Sequence, residues 1–357
     1  MTLPKLFLTL ALFCSVTVTF AQVTPPTYLQ YDFITTIPFY SQTEKLLPLA
    51  LAGGFNSPQF STIDLNGDSN PDLFVFERTS NRIYTFLNEN KQYVYAPEYE
   101  ILFPQMQNWC LLVDYNKDGK KDIFTTQNAT LSVYKNTTLP KGTVSFVETP
   151  KYLTTKSIAG TGQINIGIDA TDIPAITDID NDGDIDVLFF PPALGANVEY
   201  AKNMSIEKYG KADSLVFEKA TTKWGDFQEC SRCNEYKFGN DNCMGAIQQD
   251  DSDVLKTSKL PQPLRTEHSG STQLMLDLDG NGLKDMLVGD VNCNNLSAFF
   301  NKGTQQEAKF DSFLQTFPQN THVSLHIFPA AYYEDVDLPN FRLKHNKLLL
   351  YFVGWLC

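Results

Sequence analysis

The chain has 357 residues and a formal net charge of -13; 42% of its residues are apolar, 13% aromatic and 19% charged. That length suits one large domain or two ordinary ones, with ample core. A strongly acidic balance excludes nucleic-acid binding, which needs a basic footprint, and the aromatic and β-branched content leans toward strands.

The first element reads as a secretory signal peptide, residues 1–21. Lys5 gives a positive start, Leu6 to Phe20 is a mostly apolar run, and Thr19-Phe20-Ala21 offers small residues where a signal peptidase reads, so cleavage is expected before Gln22. The run is short for a membrane span, so no transmembrane anchor is expected; an N-terminal membrane anchor is the alternative. Cys14 lies in "ALFC", which lacks the small residues of a lipoprotein box. The expected location is secreted or at the cell surface.

Four acidic stretches then follow in chain order: "DLNGDSNPD" from Asp64, "DYNKDGKKD" from Asp114, "DIDNDGDID" from Asp178 and "DLDGNGLKD" from Asp277. Aligned, they carry Asp or Asn at positions 1, 3, 5 and 9. These residues are Asp64, Asn66, Asp68 and Asp72; Asp114, Asn116, Asp118 and Asp122; Asp178, Asp180, Asp182 and Asp186; and Asp277, Asp279, Asn281 and Asp285. Each loop is preceded by a short apolar run ("FSTI", "CLLV", "PAIT", "QLML") and followed by another ("LFVF", "IFTT", "VLFF", "MLVG"). An aromatic-containing strand then ends at Asn88, Asn136, Asn203 or Asn301, and a further strand-like piece follows ("QYVYAPEYE", "TVSFVET", "SLVFEKA", "AKFDSF"). The repeating unit is thus four short strands with an acidic loop between the first two. One such sheet cannot bury both faces alone, but it stacks radially as a propeller blade. The expected fold is an all-β propeller of four-stranded antiparallel blades with calcium loops between strands, with an incomplete ring as the alternative to a closed one.

The first aspartates are 50, 64 and 99 residues apart. The last gap exceeds one blade and holds "CSRCNEYKFGNDNC", so it reads as a Cys-rich insertion near 225–265, with a hidden metal-free blade as the alternative. In an exported chain Cys230, Cys233 and Cys243 imply a disulfide-tied loop; zinc wants four ligands in paired spacing and is the weaker reading. A fifth unit starts at Asp335 and Asp337 in "FPAAYYEDVD", after which the pattern fails. The propeller is therefore bounded at 22–337, with 338–357 a degenerate or truncated tail.

Oxygen ligands from Asp and Asn suit a hard cation. Side chains at positions 1, 3 and 5 of a tight loop converge, and position 9 closes the cage. Position 7 carries Asn70, Lys120, Asp184 and Leu283, which share no side-chain chemistry, so a backbone carbonyl is expected there. Position 6 is Gly119, Gly183 and Gly282, but Ser69 in the first copy; a left-handed backbone at Ser69 would cost roughly 1–2 kcal/mol. About four calcium ions are expected, with the third loop, at four ligand carboxylates, binding most tightly if charge dominates. A helical calcium hand would need an acid at position 12, which is Val75, Thr125, Phe189 or Val288. Metal-free Asp/Asn/Gly turns explain one copy more easily than four.

These four stretches resemble FG-GAP/VCBS-type repeats, the calcium-loop blades also found in integrin α-chain heads, over roughly Phe55 to Asp337. The resemblance implies a propeller whose loops bind calcium for structural purposes, in exported proteins that adhere to surfaces, proteins or glycans. Integrin propellers have seven blades; four loops and a broken fifth depart from that, and the loss of pattern after Asp337 favours truncation.

Catalytic chemistry is sparse. His268, His322, His326 and His345 sit in strand-like or loop settings, and no G-x-S-x-G, H-E-x-x-H or phosphate loop appears. The carboxylates alternate within single loops, as ligands do, rather than facing each other as a glycosidase pair. Trp109, Tyr134 and Trp224 either stack on sugars at the surface or fill blade cores. The expectation is a non-catalytic calcium-binding adhesion or interaction module, with an unidentified protein or glycan partner. A lectin-like part of a polysaccharide-processing protein is the alternative.

Overall fold

The computed structural model describes residues 37–47, 49–149, 152–156, 162–192, 195–243, 270–318, 323–325, 327–334 and 349–355. The chain divides into Met1–Ile34 and Thr35–Cys357. The first unit, and with it the expected signal peptide, lies outside the described residues, as do all four histidines, Asp335 and Asp337.

The first blade is β1 (Pro58–Ile63), β2 (Asp72–Glu77), β3 (Arg82–Glu89) and β4 (Gln92–Tyr95), an antiparallel sheet in sequence order, followed by a 3-10 turn at Pro97–Leu102. The second repeats it with β5 (Cys110–Val113), β6 (Asp122–Gln127), β7 (Thr130–Asn136) and β8 (Phe146–Glu148). A hairpin of β9 (Thr154–Lys156) and β10 (Gln163–Asn165) comes next. It adds to the outer edge of the third blade, which is β11 (Ala175–Thr177), β12 (Asp186–Phe189), β13 (Glu199–Asn203) and β14 (Phe217–Thr221). A short helix, α1 (Ser205–Tyr209), links β13 to β14. After the hairpin β15 (Phe227–Glu229) and β16 (Tyr236–Phe238), the fourth blade is β17 (Ser271–Leu276), β18 (Asp285–Asp290) and β19 (Leu296–Phe299). A final pair joins β20 (Ile327–Glu334) to β21 (Leu349–Trp355), so part of the unpatterned tail is a strand.

The burial pattern follows position in the blade. β1 alternates between half-buried and buried residues, whereas β2, "DLFVFE", is buried throughout. Strands sandwiched between neighbouring sheets read as continuous apolar runs. Phe74 and Phe76 of the first blade pack with Leu112 and Ile123 of the second. Phe124 and Val133 of the second pack with Ile176 and Val187 of the third. Leu188 and Tyr200 of the third pack with Met286 and Phe299 of the fourth. Fully burying each such side chain contributes about 1.5–3 kcal/mol, so each blade is stabilised by its neighbours.

β1, β5, β11 and β17 are successive neighbours around the ring, and β20 lies against both β17 and β1. These strands line a cavity of about 320 Å³. Glu334 of β20 accepts from the Thr62 backbone N–H at 3.0 Å and pairs with Lys121 of the second blade. Among the described residues four blades thus form a propeller-like ring that is not closed.

One element expected from the sequence is not formed. "AKFDSF" forms no regular fourth strand: pairing is reduced to isolated bridges at Lys309 and Leu314. Phe310 and Phe313 are instead drawn into an aromatic cluster with Trp224, Phe227, Tyr236 and Phe299. Apolar burial outweighs the ladder bonds, and the Phe310 ring packs so close to Gly225 that a Cβ there would lie 2.5 Å from it. The described part of the long gap is disulfide-tied, as expected: Cys230 bonds Cys243, and Cys233 bonds Cys293 of the fourth blade. Residues 244–269 lie outside the described residues. Cys110 is a buried free thiol.

Candidate metal loops

Each acidic stretch is the connection from the first to the second strand of its blade, in one register. The residue before position 1 pairs with position 9 in all four: Ile63 with Asp72, Val113 with Asp122, Thr177 with Asp186 and Leu276 with Asp285. The apolar residue at position 2 turns inward, and Leu65, Tyr115 and Ile179 are buried. That inward anchor leaves the alternate polar residues on the other side of the loop.

Side chains within each loop hold its backbone. The position 1 aspartate accepts from the position 6 N–H at 2.9, 2.8, 3.1 and 2.9 Å in loops one to four. Position 3 accepts from the position 5 N–H, and position 5 from the position 7 N–H, in every copy.

Position 6 has positive φ throughout: Ser69 at 67°, Gly119 at 83°, Gly183 at 107° and Gly282 at 85°. Ser69 therefore carries the strain expected of it. Replacing Ser69 with glycine should raise the stability of the protein by about 1 kcal/mol, read as a higher urea midpoint at unchanged slope; no change would mean the loop relaxes around serine. Position 4, overlooked in the sequence, is left-handed too: Gly67, Lys117, Asn181 and Gly280 have φ of 79°, 57°, 58° and 79°. Glycine and asparagine tolerate this conformation, and Lys117 obscured the pattern.

Position 9 has a second role. Asp72, Asp122, Asp186 and Asp285 are fully buried. In each, Oδ2 accepts from the position 2 N–H, at 2.8, 3.2, 2.9 and 2.8 Å. Oδ1 accepts from the backbone N–H of the asparagine at or near the end of the third strand, namely Asn88, Asn136, Asn203 and Asn301, at 2.8, 2.7, 2.8 and 2.7 Å. The recurring asparagine was legible; the bond that explains its spacing was not. Burial pushes the carboxyl of Asp72 and of Asp122 up to about 6 and that of Asp186 up to about 8, against the opposing effect of these N–H donors, with neighbouring loop aspartates adding repulsion. Burial also raises Asp285.

The third and fourth loops bring carboxylates together. One oxygen each of Asp178, Asp180 and Asp186 lie within 4.8 Å of one another, as do those of Asp277, Asp279 and Asp285. In the first two loops position 3 is an asparagine, whose amide donates to position 5 at 3.2 Å. Asp178 Oδ1 is buried without a hydrogen-bond partner. A cation is a fitting partner for such an oxygen, and the donor set is all hard oxygen.

The third loop departs from the others. Asp184 at position 7 was expected to offer only its carbonyl, but its side chain is buried, and Oδ2 accepts from the Ile206 N–H of α1 at 2.9 Å. The helix leaves that amide without an internal partner, and the carboxylate satisfies it. Burial lifts the Asp184 carboxyl to about 6. Lys202 of β13 contacts Asp180, lies 3.1 Å from Asp182 and 2.6 Å from Glu207. The most acidic loop therefore carries its own ammonium, which weakens charge count as a guide to its metal affinity. Trp109, Tyr134 and Trp224 are all buried; they are core residues rather than a sugar-stacking surface.

The family described as FG-GAP-like repeat matches residues 64–125 and 114–189. No curated protein matches the chain. Among solved structures, one that describes specific recognition of non-reducing terminal N-acetylglucosamine by an Agrocybe aegerita lectin is 16% identical, with a TM-score of 0.34, over 79% of this chain and 72% of that one. A Photorhabdus luminescens Tc holotoxin pore is 12% identical, with a TM-score of 0.29, over 82% of this chain and 14% of that one. Neither likeness is close enough to say what this chain binds. The family's repeats run from the first loop into the third blade, and the same register and amide pattern recur in the fourth; the chain carries FG-GAP-like repeats on a four-bladed propeller-like ring.

Proposed function

We propose that the four loops hold calcium, that calcium stiffens the blades, and that the propeller is a non-catalytic adhesion or interaction module working outside the cell. The observation that carries this reading is the convergence of positions 1, 3 and 9 in the third and fourth loops, beside the orphaned buried oxygen of Asp178. The protein's part is to preform the loop: backbone amides occupy one face of each side chain, and the anchored position 2 aims the rest at a common point. Calcium bound there would neutralise carboxylates that the blade has already buried. The two disulfides are compatible with an oxidising compartment. No helix among the described residues is long and apolar enough to cross a membrane.

The partner, by this reading, is a protein or glycan held by the variable loops rather than a substrate. Glycan-array binding and polysaccharide hydrolysis assays, each with calcium and with EDTA, test it. Calcium-dependent retention without turnover is the expected result. Calcium-dependent hydrolysis would replace it with the polysaccharide-processing alternative.

A further inference from the structure

The third blade holds more carboxylate than one loop ion accounts for. Asp178, Asp180 and Asp186 form one cluster; Asp182, Asp184 and Glu207 form another, with one oxygen each within 4.8 Å, and the two share no residue. Asp184 is 0% exposed, and while its Oδ2 is bonded to Ile206, its Oδ1 is buried with no hydrogen-bond partner. A buried carboxylate oxygen left in this way is costly unless a donor or cation meets it. Lys202 stands between the clusters, touching Asp180 of the first and Asp182 and Glu207 of the second. One ammonium against six carboxylates leaves a large excess of negative charge, and a single divalent ion in the loop would not remove it.

We propose that the third blade binds a second divalent cation at Asp182, Asp184 and Glu207, beside the loop ion, with Lys202 as the placeholder that both ions compete against. The proposal rests on the reading of the loops as calcium sites. The second site belongs to this blade alone among the four. Position 7 is Asn70, Lys120 or Leu283 elsewhere, and Glu207 comes from α1, the one α-helix among the described residues. Oxygen-only donors favour calcium over softer metals.

Equilibrium dialysis of the full chain against calcium, with the bound metal counted, tests this. Glu207→Gln should lose one ion per chain and leave the sites of the other three blades at unchanged affinity. Lys202→Met should tighten at least one site tenfold or more, because a competing ammonium is gone. Circular dichroism confirms that each variant is folded; Glu207 lies on α1 with its side chain 35% exposed, outside the buried core. A Glu207→Gln protein with the wild-type number of ions overturns the second site and leaves the loop reading standing. So does a Lys202→Met protein that binds calcium no more tightly. A wild-type chain that binds no calcium overturns both.

Discussion

Asp122→Ala should lower the stability of the calcium-free protein by about 3–5 kcal/mol, whereas Asp118→Ala should leave it within about 1 kcal/mol. Both residues belong to the second loop and both were read as ligands, yet the blade uses them differently. Asp122 is fully buried and receives the Tyr115 and Asn136 N–H groups. Alanine would leave two buried amides without acceptors, each costing about 1–3 kcal/mol, and would open a small void. Asp118 is exposed and accepts from Lys120 in its own loop; losing it also removes repulsion on Asp122. Melting in EDTA separates the two, with the loss at Asp122 expected as roughly 4–7 °C. Adding calcium should then stabilise Asp118→Ala less than wild type. Equal effects of the two substitutions in EDTA would mean that position 9 is no more structural than position 5.

The second large effect is the response to pH. Asp72, Asp122 and Asp184 titrate at about 6 and Asp186 at about 8 in the folded, metal-free protein, chiefly because burial disfavours the charged form. An unfolded aspartate titrates near 3.9. Between those values the folded state holds more protons than the unfolded one, so stability falls as pH rises. The metal-free melting temperature should therefore decline from pH 5 to pH 8, and most of the decline should be complete above the Asp186 value. Calcium competes with those protons, so its stabilisation should be small at pH 5 and large at pH 8. At a thousandfold excess over its dissociation constant one ion contributes about 4 kcal/mol. Melting curves at pH 5, 6, 7 and 8, with calcium and with EDTA, measure both slopes. A metal-free protein that grows more stable toward pH 8, or a calcium shift independent of pH, would contradict the buried-acid picture.

The repeat, the strand–loop–strand order and the acidic positions could all be read from the chain, because they depend on local chemistry: alternation, turn residues and oxygen ligands at fixed spacing. The left-handed position 6 was visible in its glycines, and the disulfide-tied character of the insertion in its cysteines. Position 4 was concealed by Lys117, since a lysine in a left-handed turn announces nothing.

What only the tertiary structure decided depends on contacts between segments distant in sequence. The partner of Cys233 is Cys293, sixty residues away. The asparagine at or near the end of each third strand matters because the fold lays its amide against position 9. Lys202 and Glu207 belong to the third loop only because β13 and α1 pass beside it. "AKFDSF" has the composition of a strand, yet aromatic packing against the insertion overrides its ladder. Local pattern specified where charge would gather; the packing of blade on blade specified how much of that charge is buried, which amides hold it and which ammonium stands among it.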